Sequence, residues 1–265
     1  MEYHNIIYDV KNQVAWITLN RPEAMNAINQ EMSGEIVSAC RQAEENNEVR
    51  VVIFKGAGEK AFSAGADLKE RARGESSSFI ERRQVKISPG ANTQTLAVAA
   101  ITKPTIALIR GYAVGGGLEI CLCCDIRIAA EDAKMGLPEV RRGIIPGSGG
   151  TQRLARIVGI AKALEICLTG ELVDAAEAYR IGLVHRLARP EELIQFGEQF
   201  VQSLLKGAPL SLRFTKEAIY VGRELPLEQA LRLEADFSAL VATTDDSKEG
   251  PRAFAEKRDP VWKGK

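Results

Sequence analysis

The sequence predicts an α/β core followed by an all-helical C-terminal region. Two short runs, residues 14–19 and 49–56, are rich in β-branched residues and almost continuously apolar, as is typical of strands buried on both faces of a parallel sheet. The stretch between them has the apolar spacing of an amphipathic helix. Beyond about residue 190 the sequence contains amphipathic segments and no further strand-like run.

The elements follow in the order expected for strand–helix–strand units. A helix ends before Pro104, and the apolar run after this proline predicts a strand. Residues 124–130 and 182–188 are the remaining strand-like runs. We therefore expect a core domain over residues 1–190 and a helical region over 191–265. The C-terminal helices are predicted within residues 190–207, 225–243 and 245–258.

The composition is that of an ordinary globular protein. The 265 residues include 35 basic and 35 acidic side chains, and 45% are hydrophobic. This balanced charge argues against nucleic acid or a membrane surface as a partner. No apolar run approaches the roughly 18 residues of a membrane helix, and the N-terminal segment lacks the basic and apolar regions of a signal peptide. We therefore expect a cytoplasmic protein.

The cysteines and histidines argue against a metal centre. Cys121, Cys123 and Cys124 lie within four residues, without the paired spacing of a zinc site. We expect them to be buried thiols in a reducing compartment. Only two histidines occur, so neither a catalytic triad nor a multi-histidine metal site is expected. Carboxylates are the remaining candidates for acid–base chemistry.

Three glycine-rich turns follow strand-like segments, at residues 55–70, 110–119 and 141–153. Ligands of α/β proteins gather at such turns, where helix N-termini present unpaired N–H groups. Ile120 stands where G-x-G-x-x-G needs its third glycine, and neither the P-loop nor the G-x-S-x-G motif occurs. The backbone N–H groups of the second turn and of residues 64–67 are therefore candidate oxyanion donors. The simpler interpretation is that the glycines only permit close packing.

Two carboxylates accompany the second and third turns. Glu119 follows Gly117 by two residues within an apolar helix, and Glu139 comes twenty residues later, beyond a strand. Two carboxylates in one water-poor pocket can divide the roles of acid and base. Simpler roles are also open: Glu119 can complement the helix N-terminus, and Glu139 can pair with Arg141 or Arg142.

Several ordered motifs resemble the enoyl-CoA hydratase/isomerase, or crotonase, family. The resemblance begins at residues 19–28 (LNRPEAMNAI) and spans almost the whole chain. Two segments also resemble the AU-binding, methylglutaconyl-CoA hydratase branch, residues 65–72 (GADLKERA) and 133–137 (AKMGL). The main motifs are AFSAGADLKE (61–70), GYAVGGGLEICLCCDIRIAA (111–130), MGLPEVRRGIIPGSGGTQRL (135–154) and AFAEKR (253–258).

The resemblance implies a crotonase-like spiral of ββα units with a C-terminal helical trimerisation region, assembled as a trimer or a dimer of trimers. It implies an acyl-CoA thioester substrate, with coenzyme A as part of that substrate. Neither a metal nor a redox cofactor is implied. The loop over residues 71–94 is expected to shape the acyl pocket.

The resemblance also implies a site. The N–H groups of Ala66 and Gly116 would form the oxyanion hole, Glu119 would act as base toward a water, and Glu139 would deliver a proton to Cα. Gly147 would supply a backbone position near that water. The residues expected to line the coenzyme A site are Ala64, Asp67, Leu68 and Lys69. We expect Gly116→Val to lose turnover severely, and Gly115→Ala to be milder if the N–H of Gly115 points elsewhere.

Hydration of a 2-enoyl-CoA to a 3-hydroxyacyl-CoA is the function that this pair of glutamates favours. An enoyl-CoA isomerase or another crotonase-type lyase is an alternative in the same fold, since it would move a proton through one glutamate. An RNA-binding homologue and an inactive assembly subunit are further alternatives. The balanced charge argues against the RNA-binding alternative.

Overall fold

A computed structural model describes residues 3–73 and 93–265 of the chain. Most of the loop expected to shape the acyl pocket, 71–94, lies outside these residues. The described chain forms two compact units. One contains the residues up to Ile101 together with Thr105–Gly197, and the other contains Thr102–Pro104 together with Glu198–Lys265. The main division thus falls at Gly197, whereas the sequence predicts a boundary after residue 190.

The larger sheet of the first unit contains the predicted strands. From one edge to the other, its strands are β1 (Ile6–Lys11), β2 (Val14–Leu19), β3 (Val51–Gly56), β5 (Thr105–Ile109), β7 (Ile126–Ala130) and β10 (Arg186–Ala188). Neighbouring strands are parallel, except that β1 is antiparallel to β2. β1 was not predicted. Asn12 and Gln13 connect it to β2 with φ values of 51° and 65°, the left-handed geometry of a tight hairpin turn.

A smaller sheet positions the glycine-rich turns. Its strands are β4 (Ala61–Ser63), β6 (Tyr112–Val114), β8 (Lys134–Gly136) and β9 (Val173–Asp174). β4, β6 and β8 are parallel, so their carboxyl ends lie at one edge of the sheet. From these ends the chain continues into residues 64–67, residues 115–117 and a 3₁₀ helix, Pro138–Arg142. Strands of three residues are too short to show a period in sequence.

The helices of the first unit pack mainly through apolar faces. Helix α1 begins after Asn29, whose Oδ1 accepts a hydrogen bond from N of Met32 at 2.8 Å, and it buries residues at helical spacing from Met32 to Ala43. By contrast, the helix Gly116–Cys123, α4, is buried on all sides, as expected of a helix that is apolar all round. The helices are α1 (Gln30–Glu45), α2 (Leu68–Arg73), α3 (Gln94–Ala99), α4 (Gly116–Cys123), α5 (Gly150–Val158), α6 (Ile160–Thr169) and α7 (Ala175–Arg180).

The C-terminal region is helical, as predicted. Its helices are α8 (Leu193–Leu205), α9 (Pro209–Gly222), α10 (Leu227–Ala242) and α11 (Asp245–Ala255). Phe214 of α9 contacts Phe237 of α10, with ring centroids 5.2 Å apart. The carboxylate of Asp246 accepts hydrogen bonds from N of Lys263 at 2.7 Å and N of Gly264 at 2.9 Å, which holds the last residues against α11. No helix within residues 3–73 and 93–265 is both long and apolar enough to cross a membrane.

Candidate active site

A cleft of about 330 Å³ lies at the edge where β4, β6 and β8 end. Its walls come from the segments that follow these strands, from the start of α1 and from the loop before α5. The structure therefore brings together residues that are up to 120 positions apart in the chain, from Ile28 to Ser148. Seven of the residues that the sequence analysis assigned to the site line the cleft: Ala64, Ala66, Leu68, Gly116, Glu119, Glu139 and Gly147.

The first two turns touch because Gly65 has no side chain. Gly65 has a φ of +88°, and a Cβ there would lie 2.6 Å from O of Val114 and 3.1 Å from N of Gly116. The backbone oxygen cannot move aside without displacing β6, so this position requires glycine. As a result Ala66 lies beside Gly116. A Cβ built on Gly116 would lie 3.6 Å from N of Ala66.

The N–H groups of Ala66 and Gly116 are both left without an acceptor. N of Ile28 donates to O of Gly65 at 2.7 Å, and N of Asp67 donates to O of Ile28 at 2.9 Å. This pairing directs the N–H of Ala66 to the other side of its segment. Gly116 is the first residue of α4, so its N–H has no partner within the helix. In the described parts of the chain neither N–H donates a hydrogen bond.

Each glycine of the run Gly115–Gly117 meets a different constraint. Gly115 has a φ of +54°, and a Cβ there would lie 2.9 Å from Oε1 of Glu139. A Cβ on Gly117 would lie 2.5 Å from O of Ser63, so this glycine permits close packing of α4 on β4. Gly116 has neither constraint, because its nearest neighbours are at ordinary contact distance. Packing therefore accounts for Gly115 and Gly117. At Gly116 a Cβ would instead occupy space beside N of Ala66, where a bound oxygen would need to lie.

The backbone conformation of Gly115 argues against the expectation that Gly115→Ala causes only a small loss of turnover. N of Gly115 donates to O of Gly136 at 3.0 Å, so its N–H does point away from the cleft, as that expectation required. The alanine side chain would nevertheless adopt a positive φ and press on Glu139. We expect this variant to disturb the site through the carboxylate.

Glu119 is a buried carboxylate held by backbone donors. Its side chain projects from α4 and the residue is 3% exposed. Oε1 accepts hydrogen bonds from N of Ser148 at 2.7 Å and from N of Gly150 at 2.9 Å. Gly150 is the first residue of α5, so the positive end of that helix faces the carboxylate. These contacts fix the position of Oε1 and leave Oε2 able to bind a water.

Glu139 faces the same cleft with less support. Its Oε2 is buried and has no hydrogen-bond partner in the described chain. Burial raises the pKa of Glu139 above its ordinary range, and the charge of Glu119 raises this pKa further, while the backbone of Glu139 and the charge of Arg142 oppose the shift. The two carboxylates thus differ in environment, and burial makes Glu139 easier to protonate than an exposed glutamate.

Asp67 and Lys69 do not line the cleft. The carboxylate of Asp67 accepts hydrogen bonds from N of Lys69 at 3.1 Å and N of Glu70 at 3.3 Å at the start of α2. Arg21 donates to its other oxygen at 3.0 Å, and this contact lowers the pKa of Asp67. Lys69 is exposed. Contact of these two residues with coenzyme A stays a prediction.

Sequence reasoning missed the groups that hold the turns in place. Ser148 and Gly150 bind Glu119 through backbone N–H groups. Every non-proline residue has such a group, so the residue types at 148 and 150 do not indicate this contact. Ser63 is fully buried, and its Oγ donates to O of Asn26 at 2.7 Å and accepts from N of Gly65 at 3.1 Å. Asn26 was also missed, although its positive φ of 55° suits asparagine.

This cleft combines two adjacent N–H donors that have no acceptor in the described chain with a buried carboxylate, Glu119, and a half-buried one, Glu139. Such donors can stabilise an oxyanion, and such carboxylates can transfer protons. Among the described residues there is no cluster of three or more histidine, cysteine, aspartate or glutamate side chains that could hold a metal ion. The fold and site define an acid–base enzyme that acts beside a polarised carbonyl group.

The chain is similar to known proteins over nearly its full length. Residues 9–265 match the family described as enoyl-CoA hydratase/isomerase. The chain is 41% identical over 260 residues to the crotonyl-CoA hydratase of Syntrophomonas wolfei, covering 97% of both proteins. It is 39% identical over 258 residues to the short-chain-enoyl-CoA hydratase of Clostridium acetobutylicum, again covering 97% of both.

A crystal structure of enoyl-CoA hydratase from Bacillus anthracis matches the fold with a TM-score of 0.91 at 38% identity, covering 99% of this chain and 100% of that one. The chain therefore belongs to the enoyl-CoA hydratase/isomerase family. The crotonase-like fold class predicted from the motifs is confirmed.

The different surroundings of Gly116 and Gly117 predict different effects of alanine substitution on stability. We expect Gly117→Ala to destabilise the protein by about 1–3 kcal/mol, because its Cβ would overlap the backbone of Ser63. Gly116→Ala should change stability by about 1 kcal/mol or less, because it has room. Thermal unfolding of both variants measures this. Equal loss of stability in the two variants would contradict the assignment of separate constraints.

The two glutamates should respond oppositely to the same neutral substitution. Glu139→Gln should raise the melting temperature at pH 7, because burial disfavours the charged carboxylate, whose Oε2 has no hydrogen-bond partner among the described residues. Since burial raises the pKa of Glu139 above 4.5, this gain should be present above the raised pKa and vanish below pH 4.5. Glu119→Gln should lower the melting temperature, because charge-assisted hydrogen bonds are lost. Melting curves between pH 4 and 8 test both, and a stabilised Glu119→Gln protein would contradict the account.

Proposed function

We propose that the chain hydrates 2-enoyl-CoA thioesters to 3-hydroxyacyl-CoA thioesters. The observation that carries this proposal is the pair of unpaired N–H groups, Ala66 and Gly116, beside Glu119 and Glu139 in one cleft. The named activities of the family relatives support it. Isomerisation needs one proton-transferring carboxylate, whereas Glu119 and Glu139 both line the cleft, in different environments.

The proposed reaction begins with polarisation of the thioester. The carbonyl oxygen accepts hydrogen bonds from the N–H groups of Ala66 and Gly116, which draws electrons from the double bond and makes Cβ electrophilic. Negative charge grows on this oxygen as an enolate forms. Donors that are already in place for that charge lower the barrier more than they stabilise the bound substrate.

The glutamates then divide the addition of water. Oε2 of Glu119 orients a water and takes one of its protons while the remaining hydroxide forms a bond to Cβ. Glu139, whose burial favours the protonated carboxyl group, gives its proton to Cα as the enolate collapses. One proton has then moved from water to Glu119 and another from Glu139 to product, so transfer between the two carboxyl groups restores the enzyme.

The remaining residues of the proposed site would bind coenzyme A and orient the attacking water. Gly147 would contribute its backbone near the water, and the segment over residues 64–69 would lie along coenzyme A. No metal or redox cofactor takes part in these steps. The cytoplasmic location expected from the sequence stays part of the proposal, and it is supported by five cysteines that are all buried and free of disulfide bonds.

We expect Glu119→Gln and Glu139→Gln each to lower crotonyl-CoA hydration by about 10²–10⁴-fold, the usual contribution of general acid–base catalysis. The loss of absorbance of the conjugated thioester measures the rate, and circular dichroism checks folding. Wild-type protein that converts 3-enoyl-CoA to 2-enoyl-CoA but adds no water would identify an isomerase instead. Near-full hydration by either variant would contradict the two-carboxylate mechanism.

Assembly as a trimer or dimer of trimers is also proposed. On α10, Leu227 and Leu231 are 74% and 53% exposed, and they lie one turn apart on the same face of the helix. Apolar side chains clustered on one surface mark interfaces in soluble proteins, and homo-oligomers of closed symmetry are the usual solution. Light scattering at micromolar concentration should give a mass of three or six chains. A monomer mass would contradict this proposal and leave the proposed chemistry untouched.

A further inference from the structure

Arg21 is a charged residue close to the site to which the proposed chemistry gives no role. It lies just before the short 3₁₀ helix Pro22–Ala24, and it does not line the cleft. Its Nη1 donates hydrogen bonds to Oδ2 of Asp67 at 3.0 Å and to O of Ala27 at 2.6 Å. The guanidinium group therefore ties the segment that follows β4 to the segment that precedes α1.

A hydrogen-bonded path leads from this guanidinium group to the oxyanion hole. O of Ala27 and the N–H of Ile28 belong to one peptide group, which holds them in a plane and points them in opposite directions. N of Ile28 donates to O of Gly65 at 2.7 Å. O of Gly65 shares the next peptide group with the N–H of Ala66. The path thus runs from Arg21 through two peptide groups and ends at a proposed oxyanion donor.

Asp67 fixes both the path and the cation that begins it. N of Asp67 donates to O of Ile28 at 2.9 Å, so the backbone on the other side of Ala66 is tied to the same segment. The carboxylate of Asp67 holds the guanidinium group, and this contact is the main cause that lowers the pKa of Asp67. The carboxylate is therefore charged at neutral pH, and the ion pair with Arg21 is complete under assay conditions.

The two proposed donors differ in what lies behind them. Gly116 is the first residue of α4, so the positive end of the helix dipole strengthens its N–H as a donor. Ala66 instead lies in a single parallel bridge with Ile28, which has no comparable dipole. A cation that donates into a chain of hydrogen bonds polarises each bond that follows. Arg21 is placed to give the N–H of Ala66 what the helix gives to Gly116.

We propose that Arg21 is a positioning residue that orients and polarises the N–H of Ala66 through the two peptide groups between them. The inference rests on the proposed function, in which this N–H donates to the thioester oxygen. Donors fixed in the right direction before charge develops contribute most to the rate. Loss of Arg21 should therefore weaken polarisation of the bound carbonyl group without removing a contact to the substrate.

The carbonyl group can be observed without turnover. Butanoyl-CoA has no double bond to hydrate, so the C=O stretch of the bound thioester, labelled with ¹³C at the carbonyl, reports the oxyanion hole alone. We would record this stretch by infrared difference spectroscopy and measure kcat and KM for crotonyl-CoA. The proteins are the wild type, Arg21→Met, Arg21→Lys and Asp67→Asn. Arg21→Met keeps a long apolar side chain and removes the donors and the charge.

Arg110→Met is the matched control. Nη1 of Arg110 lies 3.1 Å from Oε1 of Glu59. This ion pair joins the segments that lead into β6 and β4, which are parallel, so it lies at the end of these strands opposite the cleft. Neither residue lines the cleft. The control therefore removes a cation that links the same two strands and leaves the path to Ala66 intact.

Arg21→Met should lower kcat by roughly 10- to 100-fold with little change in KM, because a misplacement of about 1 Å can cost about 10²-fold. Its bound C=O stretch should move toward the frequency found in water. Arg21→Lys keeps the charge and should lie between this variant and the wild type. Asp67→Asn should shift the stretch in the same direction by less, and Arg110→Met should match the wild type in kcat and in the stretch.

An unchanged C=O stretch in Arg21→Met would overturn the proposal even if kcat fell, since the residue would then act only on stability. If Arg21→Met does not fold, an unchanged stretch in both Arg21→Lys and Asp67→Asn would overturn it equally. A raised KM with unchanged kcat would assign the ion pair to coenzyme A binding and would also contradict the proposal. A stretch that depends on Arg21 in a protein that hydrates no enoyl-CoA would support the proposal and refute the proposed function.

Discussion

The site depends on one close approach between two backbone segments. The chain after β4 meets the turn after β6 at Gly65, where a Cβ would lie 2.6 Å from O of Val114. Only a residue without a side chain lets the segments come this near, and the contact sets Ala66 beside Gly116. The two unpaired N–H groups are adjacent because of it. Backbone donors positioned in this way need no rearrangement when charge develops on a bound oxygen.

The small parallel sheet gives this contact its surroundings. β4, β6 and β8 end at one edge, so the residues that follow each strand face a common cleft. The strand β8 leads to Glu139, and the buried helix after β6 carries Glu119. The N-terminus of α5 then holds Glu119 through Ser148 and Gly150. Each functional group is therefore fixed by regular structure on at least one side.

The sequence predicted the fold class and the two glutamates because both leave strong signals. Buried strands such as β2 and β3 are continuous apolar runs, and a carboxylate such as Glu119 stands out in an apolar helix. The short strand β8 left no period to detect. The separate constraints on Gly115, Gly116 and Gly117 were also hidden, since they depend on which atom each absent Cβ would meet. The engagement of Asp67 with Arg21 is a contact between distant segments, which no local pattern indicates.

The buried Oε2 of Glu139 has no hydrogen-bond partner among the described residues, which lowers the stability of the folded protein. The central step of the proposed reaction is polarisation of the substrate carbonyl beside that residue. Isotope-edited infrared spectroscopy of a bound enoyl-CoA labelled with ¹³C at the thioester carbonyl measures that polarisation directly. The account predicts that the C=O stretch moves to lower frequency on binding than in water, and that Gly116→Val removes this shift from any ligand still bound. A bound carbonyl with the frequency found in water, or a higher one, would contradict the oxyanion hole of Ala66 and Gly116.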